Sequence, residues 1–198
     1  GDFIRVCDSQ GRQYHAQIQE VQPRKVLAAV VGELEPQLDV DVRVVLGQGL
    51  AKGDKMDWIA QKSTELGASV LVPLNTQRSI TRVSSAKAKE KAARWQRIAC
   101  ESSKQSGRSR APQVSEAMSL YSFCQAYAAA DLKLILWEEE RSQGLKEVLR
   151  KERMWKEVVA LIGPEGGFSP EEVKETLTWG FQPTSLGTRI LRTETVSL

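Results

Sequence analysis

Apolar positions follow two different periods along the chain, and the period changes near residue 40. Before that point FIRVCD, YHAQIQEV and KVLAAVVGEL alternate apolar with polar residues around a turn at SQGRQ, the pattern of short antiparallel strands. Three such strands are too few for independent stability, so residues 1–40 are expected to form part of a β-rich domain packed on the rest of the chain. From residue 41 onward, short apolar runs take turns with segments of helical period. VRVVLG (42–47), SVLVPLN (69–75), LKLILW (132–137), VVALIG (158–163) and TSLG (184–187) read as strands, the longer ones of buried type. Between the first two, GDKMDWIAQKSTELG sets Met56, Ile59, Ala60, Ser63 and Leu66 on one helical face and stops at Gly67. A second helix is expected from Ser84 or Ser85, with Ala92, Trp95, Ile98, Ala99 and Ser102 inward and Gly107 just past its end; LYSFCQAYAAA (120–130) is a third. Ser169 as N-cap, Pro170 at the first helical position and Glu172 three residues after the cap compose a capping box for a helix reaching about Gly180. The alternation predicts an α/β domain over 41–198 with a mainly parallel sheet covered on both faces.

Composition narrows the chemistry. With 198 residues, 41% of them hydrophobic, the chain can bury a core. No apolar run approaches the roughly 18 residues that a membrane helix needs, and the opening GDFIRVCDSQ has neither the basic nor the apolar region of a secretion signal. A soluble, untargeted chain is expected. It opens without methionine and stops at TVSL, as a fragment of a longer protein would. Cys7, Cys100 and Cys124 are odd in number and widely spaced, which argues against a disulfide framework or a CxxC metal site and for a reducing cytoplasm. The single histidine, His15, leaves no material for a multi-histidine metal centre and little for a Ser/His/Asp triad. No metal is expected.

The net charge of +3 hides an asymmetry. Between residues 78 and 110 there are ten Lys/Arg (Arg78, Arg82, Lys87, Lys89, Lys91, Arg94, Arg97, Lys104, Arg108 and Arg110) against two acids, Glu90 and Glu101, while the remainder carries 18 basic and 23 acidic residues. One basic strip on a mildly acidic body suits a polyanion, because clustered Lys/Arg gain affinity from the counterions they displace from phosphates. A solvated helix face would show the same strip.

In open α/β sheets ligands gather at the carboxyl ends of strands, here the loops after residues 137, 163 and 187. The middle loop, Gly163-Pro164-Glu165-Gly166-Gly167, joins a buried strand to a well-capped helix and lets a ligand approach bare backbone. It lacks the GK[ST] ending of a phosphate-binding P-loop. Gly47, Gly49 and Gly53 imitate a dinucleotide fingerprint, but the next strand ends at Asn75 rather than at the acid that holds ribose hydroxyls.

Several stretches read together resemble the RsmE-type 16S ribosomal RNA uridine-N3 methyltransferases of the SPOUT class: KMDWIAQKSTELG (55–67), QRSI (77–80), ESSKQSGR (101–108), LIGPEGGFSPEE (161–172) and LGTRILRTET (186–195). The likeness runs in order over residues 42–198, with the N-terminal strands similar to part of that family's PUA-like RNA-binding domain. Lys104 stands where the family often has an acid, and the helix usual after LRTET is expected to be missing. The resemblance implies a C-terminal trefoil knot, S-adenosyl-L-methionine as cofactor, and a homodimer completing each site. It implies a cofactor cleft made of Leu136, Glu138, Gly163, Pro164, Glu165, Gly166, Gly167, Leu186, Gly187, Ile190, Leu191, Arg192 and Thr193, with Leu186, Ile190 and Leu191 flanking the adenine.

The reaction implied is methyl transfer to the N3 of a uridine in 16S rRNA or the assembled small subunit. The protein must then place N3 in line and favour loss of its proton. Arg108 is the candidate for stabilising charge on the uracil carbonyls, and Glu194 or Glu101 for proton removal; a phosphate clamp and a salt bridge are the plainer readings of Arg108 and Glu194. Arg78, Arg82, Arg94, Arg97 and Arg110 are the candidate RNA-backbone contacts. A non-catalytic rRNA-binding assembly module would use the same strip without binding the cofactor, and a dinucleotide enzyme would use Gly47 and Gly49.

Overall fold

Alternation in the first part of the chain does produce strands. The structure, a computed structural model, describes residues 1–8, 12–35, 41–151 and 154–198. β1 (Phe3–Cys7), β2 (Gln13–Gln22) and β3 (Lys25–Glu33) form an antiparallel sheet in the order β1-β2-β3. Its edge rests on the rest of the molecule through the Cys7 thiol, which donates to the Ser109 carbonyl at 2.9 Å, and the Gln13 amide, which donates to the Gly107 carbonyl at 3.4 Å. His15 on β2 is exposed. The domain boundary expected between residues 40 and 41 borders residues 36–40, which lie outside the described residues.

The remaining elements follow in the order β4 (Arg43–Gly49), α1 (Lys55–Glu65), β5 (Val70–Asn75), α2 (Ser85–Ser106), β6 (Gln113–Val114), β7 (Met118–Ser119), α3 (Leu120–Ala126), β8 (Leu132–Leu136), α4 (Leu145–Lys151), β9 (Glu157–Ile162), α5 (Pro170–Thr178), β10 (Gln182–Thr184) and α6 (Thr193–Val196). Seven strands make one parallel sheet in the order β10-β8-β9-β4-β5-β6, with β7 also beside β5. Strand periodicity of two sends neighbouring residues to opposite faces, and here both faces are covered. Val45, Val70, Val72, Val159 and Leu161 pack with Phe123, Phe168 and Phe181 on one side; Leu46, Leu71 and Ile162 pack with Met56, Ile59, Trp95 and Ala99 of α1 and α2 on the other. Continuous apolar strands are therefore required, as the sequence shows. The chain builds outward from β4 to β5 and β6 on one side and fills β9, β8 and β10 on the other. The order reverses between β4 and β9.

Local chemistry sets the helix ends. Ser169 Oγ accepts from the Glu172 N–H at 3.2 Å while Glu172 Oε2 accepts from the Ser169 N–H at 3.0 Å, the expected capping box. Gly107 ends α2 at φ +74°, a left-handed position that glycine adopts without steric cost. Several expectations are corrected. Leu66 caps α1 and is 62% exposed, and Thr64 takes the inner place instead, its hydroxyl satisfied by the Ala60 carbonyl at 2.6 Å. Ile98 is half-buried, and α5 ends at Thr178, short of Gly180. The last strand is β10 at 182–184, displaced toward the N-terminus from TSLG, because beyond Thr184 only Ser185 pairs, in a single bridge to Gly144. Gly47 and Gly49 are packing positions. A Cβ at Gly47 would sit 2.6 Å from the Phe123 ring, and one at Gly49 would sit 2.5 Å from Pro164.

Candidate active site

The three loops chosen from the strand ends converge. A cavity of about 360 Å³ opens at the carboxyl ends of β8, β9 and β10. Its walls are Leu136 to Glu138 after β8, Gly163, Pro164, Glu165 and Gly167 after β9, and the run from Thr184 to Thr193 after β10, with Lys55, Arg141 and Val196 at its margins. Every residue expected in the cleft lines it except Gly166. That residue faces the neighbouring loop instead: its carbonyl accepts from Arg78 Nη1 at 3.1 Å, and a Cβ on it would lie 3.1 Å from the Arg78 Cβ.

Bare backbone is needed at this loop for a specific reason. Gly167 has φ +66°, and a Cβ there would fall 2.2 Å from Glu138 Oε1. The Gly167 N–H turns back onto the Pro164 carbonyl at 2.9 Å, so the loop folds tightly on itself below Glu138. Facing it, Leu186, Ile190 and Leu191 supply apolar surface, and Ile190 is 84% exposed.

A buried polar cluster fastens the far wall. The fully buried Gln48 amide, at the end of β4, donates to Thr193 Oγ1 at 2.9 Å and to the Gly49 carbonyl at 2.9 Å, while its Oε1 accepts from Ser197 Oγ at 2.6 Å. Thr193 Oγ1 in turn donates to the Gly163 carbonyl at 2.6 Å. Sequence reasoning missed Gln48. Its signal was a glutamine inside an otherwise apolar parallel strand, where a polar side chain is tolerated only when it is hydrogen-bonded.

Charge at the rim is organised by Lys55, also missed. Its ammonium lies 3.0 Å from Glu165 Oε1 and 3.2 Å from Glu194 Oε2, joining the start of α1 to the glycine loop and to α6. Burial works to raise the Glu165 carboxyl, but the Lys52 N–H, its own backbone N–H and the Lys55 ammonium outweigh it and hold its pKa below the ordinary carboxylate value. The Glu165 hydrogen bond raises Lys55 above an ordinary lysine, against burial, with help from Glu194. A depressed carboxylate contributes stability that is complete above its unfolded pKa, about 4.3, and is lost as pH falls through the folded value; a raised lysine contributes below about 10.4 and loses it as pH rises. The melting temperature is therefore expected to fall more steeply below about pH 4.3 in the wild type than in Glu165→Gln, which binds no proton there. Parallel melting curves would show that this hub adds nothing.

The other candidates fall in different places. Glu194 stands beside the cavity, paired with Lys55. Glu101 is exposed on α2 and bonds Lys104 at 2.8 Å, and neither it nor Arg108 lines the cavity. Arg108 Nη1 donates to the Thr64 and Ala68 carbonyls, both at 2.8 Å, closing the end of α1. Arg108→Ala is expected to cost about 1–3 kcal/mol by orphaning those carbonyls; an unchanged denaturation midpoint would contradict that. Of the arginines proposed for RNA, Arg94 is engaged by Asp57, which also accepts from Trp95 Nε1 at 3.0 Å. Arg97 and Arg110 are exposed on and just after α2, Arg82 borders a second cavity, and Arg78 adjoins the glycine loop. Burial pushes the Cys124 thiol up to about 12, so it is inert, and the three cysteines are free. Among the described residues no group of His, Cys, Asp or Glu could hold a metal ion, and no helix is long and apolar enough to cross a membrane.

Comparison with known proteins adds independent findings. Residues 39–198 match the family described as RNA methyltransferase domain. The chain is 33% identical to the ribosomal RNA small subunit methyltransferase E of Bacillus subtilis, over all of this chain and 79% of that protein. It is 32% identical to the protein of the same name from Synechocystis, over 98% of this chain and 63% of that one. Among solved structures, a ribosomal RNA small subunit methyltransferase E from Neisseria gonorrhoeae bound to S-adenosyl methionine superposes with a TM-score of 0.89 at 29% identity, covering 99% of this chain and 79% of that one.

Proposed function

We infer that this chain, which belongs to the RNA methyltransferase domain family, methylates small-subunit ribosomal RNA with S-adenosyl-L-methionine, at the N3 of a uridine in the 16S molecule. The observation that carries the reading is the convergence of three strand-end loops on one cavity with bare glycine backbone on one wall and Leu186, Ile190 and Leu191 on the other. The residues present fit the cofactor: backbone N–H and C=O groups suit an adenine edge, the leucines and Ile190 suit its faces, and Glu138 and Glu165 oppose the positive charge of a sulfonium amino acid. A cavity of about 360 Å³ is within the range for small ligands.

When bound, the cofactor supplies an electrophilic methyl group. The chain's own task is to hold the uracil in line and to take its N3 proton. Glu194, kept ionised against Lys55, is the proposed acceptor of that proton. Arg108 and Glu101 do not line the cavity of their own chain, so their proposed roles, charge stabilisation and proton removal, are exerted on the site of a second copy in a homodimer. The exposed basic face of α2, with Arg97 and Arg110, is the proposed track for the RNA backbone.

We further propose the SPOUT topology with its trefoil knot. The run from residue 185 to 192 leaves the edge strand β10, crosses the ends of β8 and β9, and brings α6 onto α1 and Gln48, which is the path such a threading requires. Residues 1–40 are proposed as part of a PUA-like RNA-binding domain and 41–198 as the methyltransferase domain. A substrate in the small ribosomal subunit places the activity in the cytoplasm.

The test is transfer of labelled methyl from S-adenosyl-L-methionine to unmodified small subunits, followed by mapping of the modified base, with calorimetry of cofactor binding. Label at one uridine N3 is expected. Tight rRNA binding with no heat of cofactor binding would instead establish the assembly-module reading.

A further inference from the structure

The loop between β5 and α2 is held rigid yet presents an apolar side chain to solvent. Asn75 pins its two ends together, its Oδ1 accepting from the Val83 N–H at 3.1 Å and its amide donating to the Val83 carbonyl at 3.4 Å. Within it the Thr76 and Ser79 hydroxyls bond at 2.8 Å, and the Gln77 N–H donates to Glu172 Oε1 at 2.7 Å, so the cap carboxylate of α5 serves the loop as well. Around these anchors Ser79 is buried, while Ile80 is 73% exposed between Arg78 and Arg82. A β-branched side chain is stiff about χ1, so the tip is pre-shaped.

The two sides of this loop differ in a useful way. On one side Arg78 touches Gly166, at the back of the loop that walls the cofactor cavity. On the other a second cavity, of about 620 Å³, is lined by Asn75, Thr76, Arg82, Ser84, Ser119 and Tyr121. Tyr121 is 53% exposed, steadied by an edge-on contact with Trp179 at 5.7 Å. An exposed ring of this kind stacks on any unstacked base. Glu175 on the same lining disfavours a phosphate there and leaves the cavity to a base, with Arg82 at its margin for the backbone.

We propose that the 76–84 loop is a strand-splitting wedge: Ile80 inserts between the target base and its neighbour, Arg78 and Arg82 hold the flanking phosphates, and the displaced neighbour rests in the second cavity against Tyr121. The inference rests on the RNA methyltransferase reading and gives it a means of exposing N3, which in a paired uridine is closed to the methyl donor. Apolar wedges between base steps, flanked by cationic contacts, are an established way of unstacking nucleic acid.

The first experiment compares wild type, Ile80→Ala and Ile80→Leu in single-turnover methylation of unmodified small ribosomal subunits, with cofactor affinity as the control for folding. Ile80→Ala is expected to lower the rate at saturating protein at least tenfold with unchanged cofactor affinity and an unchanged salt slope of RNA binding, and Ile80→Leu to recover most of the rate. Arg82→Ala, in contrast, is expected to reduce the salt slope by about one. An unchanged rate in Ile80→Ala, or a loss confined to RNA affinity, overturns the wedge. A wild type that transfers no methyl group would instead sink the functional reading. The wedge has its own readout in that case: an RNA hairpin with 2-aminopurine beside a stem uridine should brighten on binding wild type at low salt but not on binding Ile80→Ala. Equal brightening by both, or none by the wild type, overturns it.

Discussion

Gly167→Ala is expected to remove most cofactor affinity, with a Kd weakened about 100-fold or more, since about 3 kcal/mol of aligned contacts is at stake. Two separate costs meet at this residue. Its φ of +66° places any L side chain in the left-handed region, at about 1–2 kcal/mol. The added methyl would also fall 2.2 Å from Glu138 Oε1, so either Glu138 or the glycine loop must leave the cavity wall. Gly53 separates the two effects, because it has the same φ of +66° and nothing within 4 Å of a Cβ. Gly53→Ala should therefore lower the melting temperature by a few degrees, about 2–8 °C for a chain of this size, and leave cofactor binding intact. Calorimetry and thermal melts on both variants check this, and equal cofactor affinity in the two would refute the steric argument.

Gln48→Leu is the second large effect. The substitution preserves approximate volume but withdraws the amide from Thr193 and the Gly49 carbonyl and the acceptor from Ser197, all in a fully buried place. Leaving such groups unpaired costs about 1–3 kcal/mol. The loss should be larger for the site than for the fold, because Thr193 is also what holds the Gly163 carbonyl. Chemical denaturation should show a moderate drop in midpoint with unchanged slope, and titration should show weakened cofactor binding. Wild-type affinity in Gln48→Leu would mean that the cavity wall stands without this cluster.

Much of this architecture is legible in the sequence wherever one physical rule dominates locally. Apolar runs such as VVALI announce a strand buried on both faces, and Ser169-Pro170-Glu172 declares its helix because the cap chemistry is all within four residues. The cleft was readable for a related reason: strand ends and a glycine-rich turn are local features, and the topology then gathers them. What was not readable depends on distant partners. Leu66 fits the helical period, but α1 ends before it can turn inward. Lys55 and Gln48 look ordinary until α6 arrives beside them. Arg108 carries the charge expected of a catalytic or phosphate-binding group, yet its guanidinium meets two backbone carbonyls that no spacing rule would have paired with it.

The contacts of Gln48 with Thr193 and Ser197 join positions 145 and 149 residues apart. During synthesis β4 emerges long before the residues that complete its polar end, and contacts of such separation form late. Until residue 197 has cleared the exit tunnel, the Gly163 carbonyl and the Gln48 amide must be served by solvent, and the cleft has no outer wall. A nascent chain is thus unable to sequester the methyl donor, and competence arrives only once the ribosome has released the segment that closes the pocket.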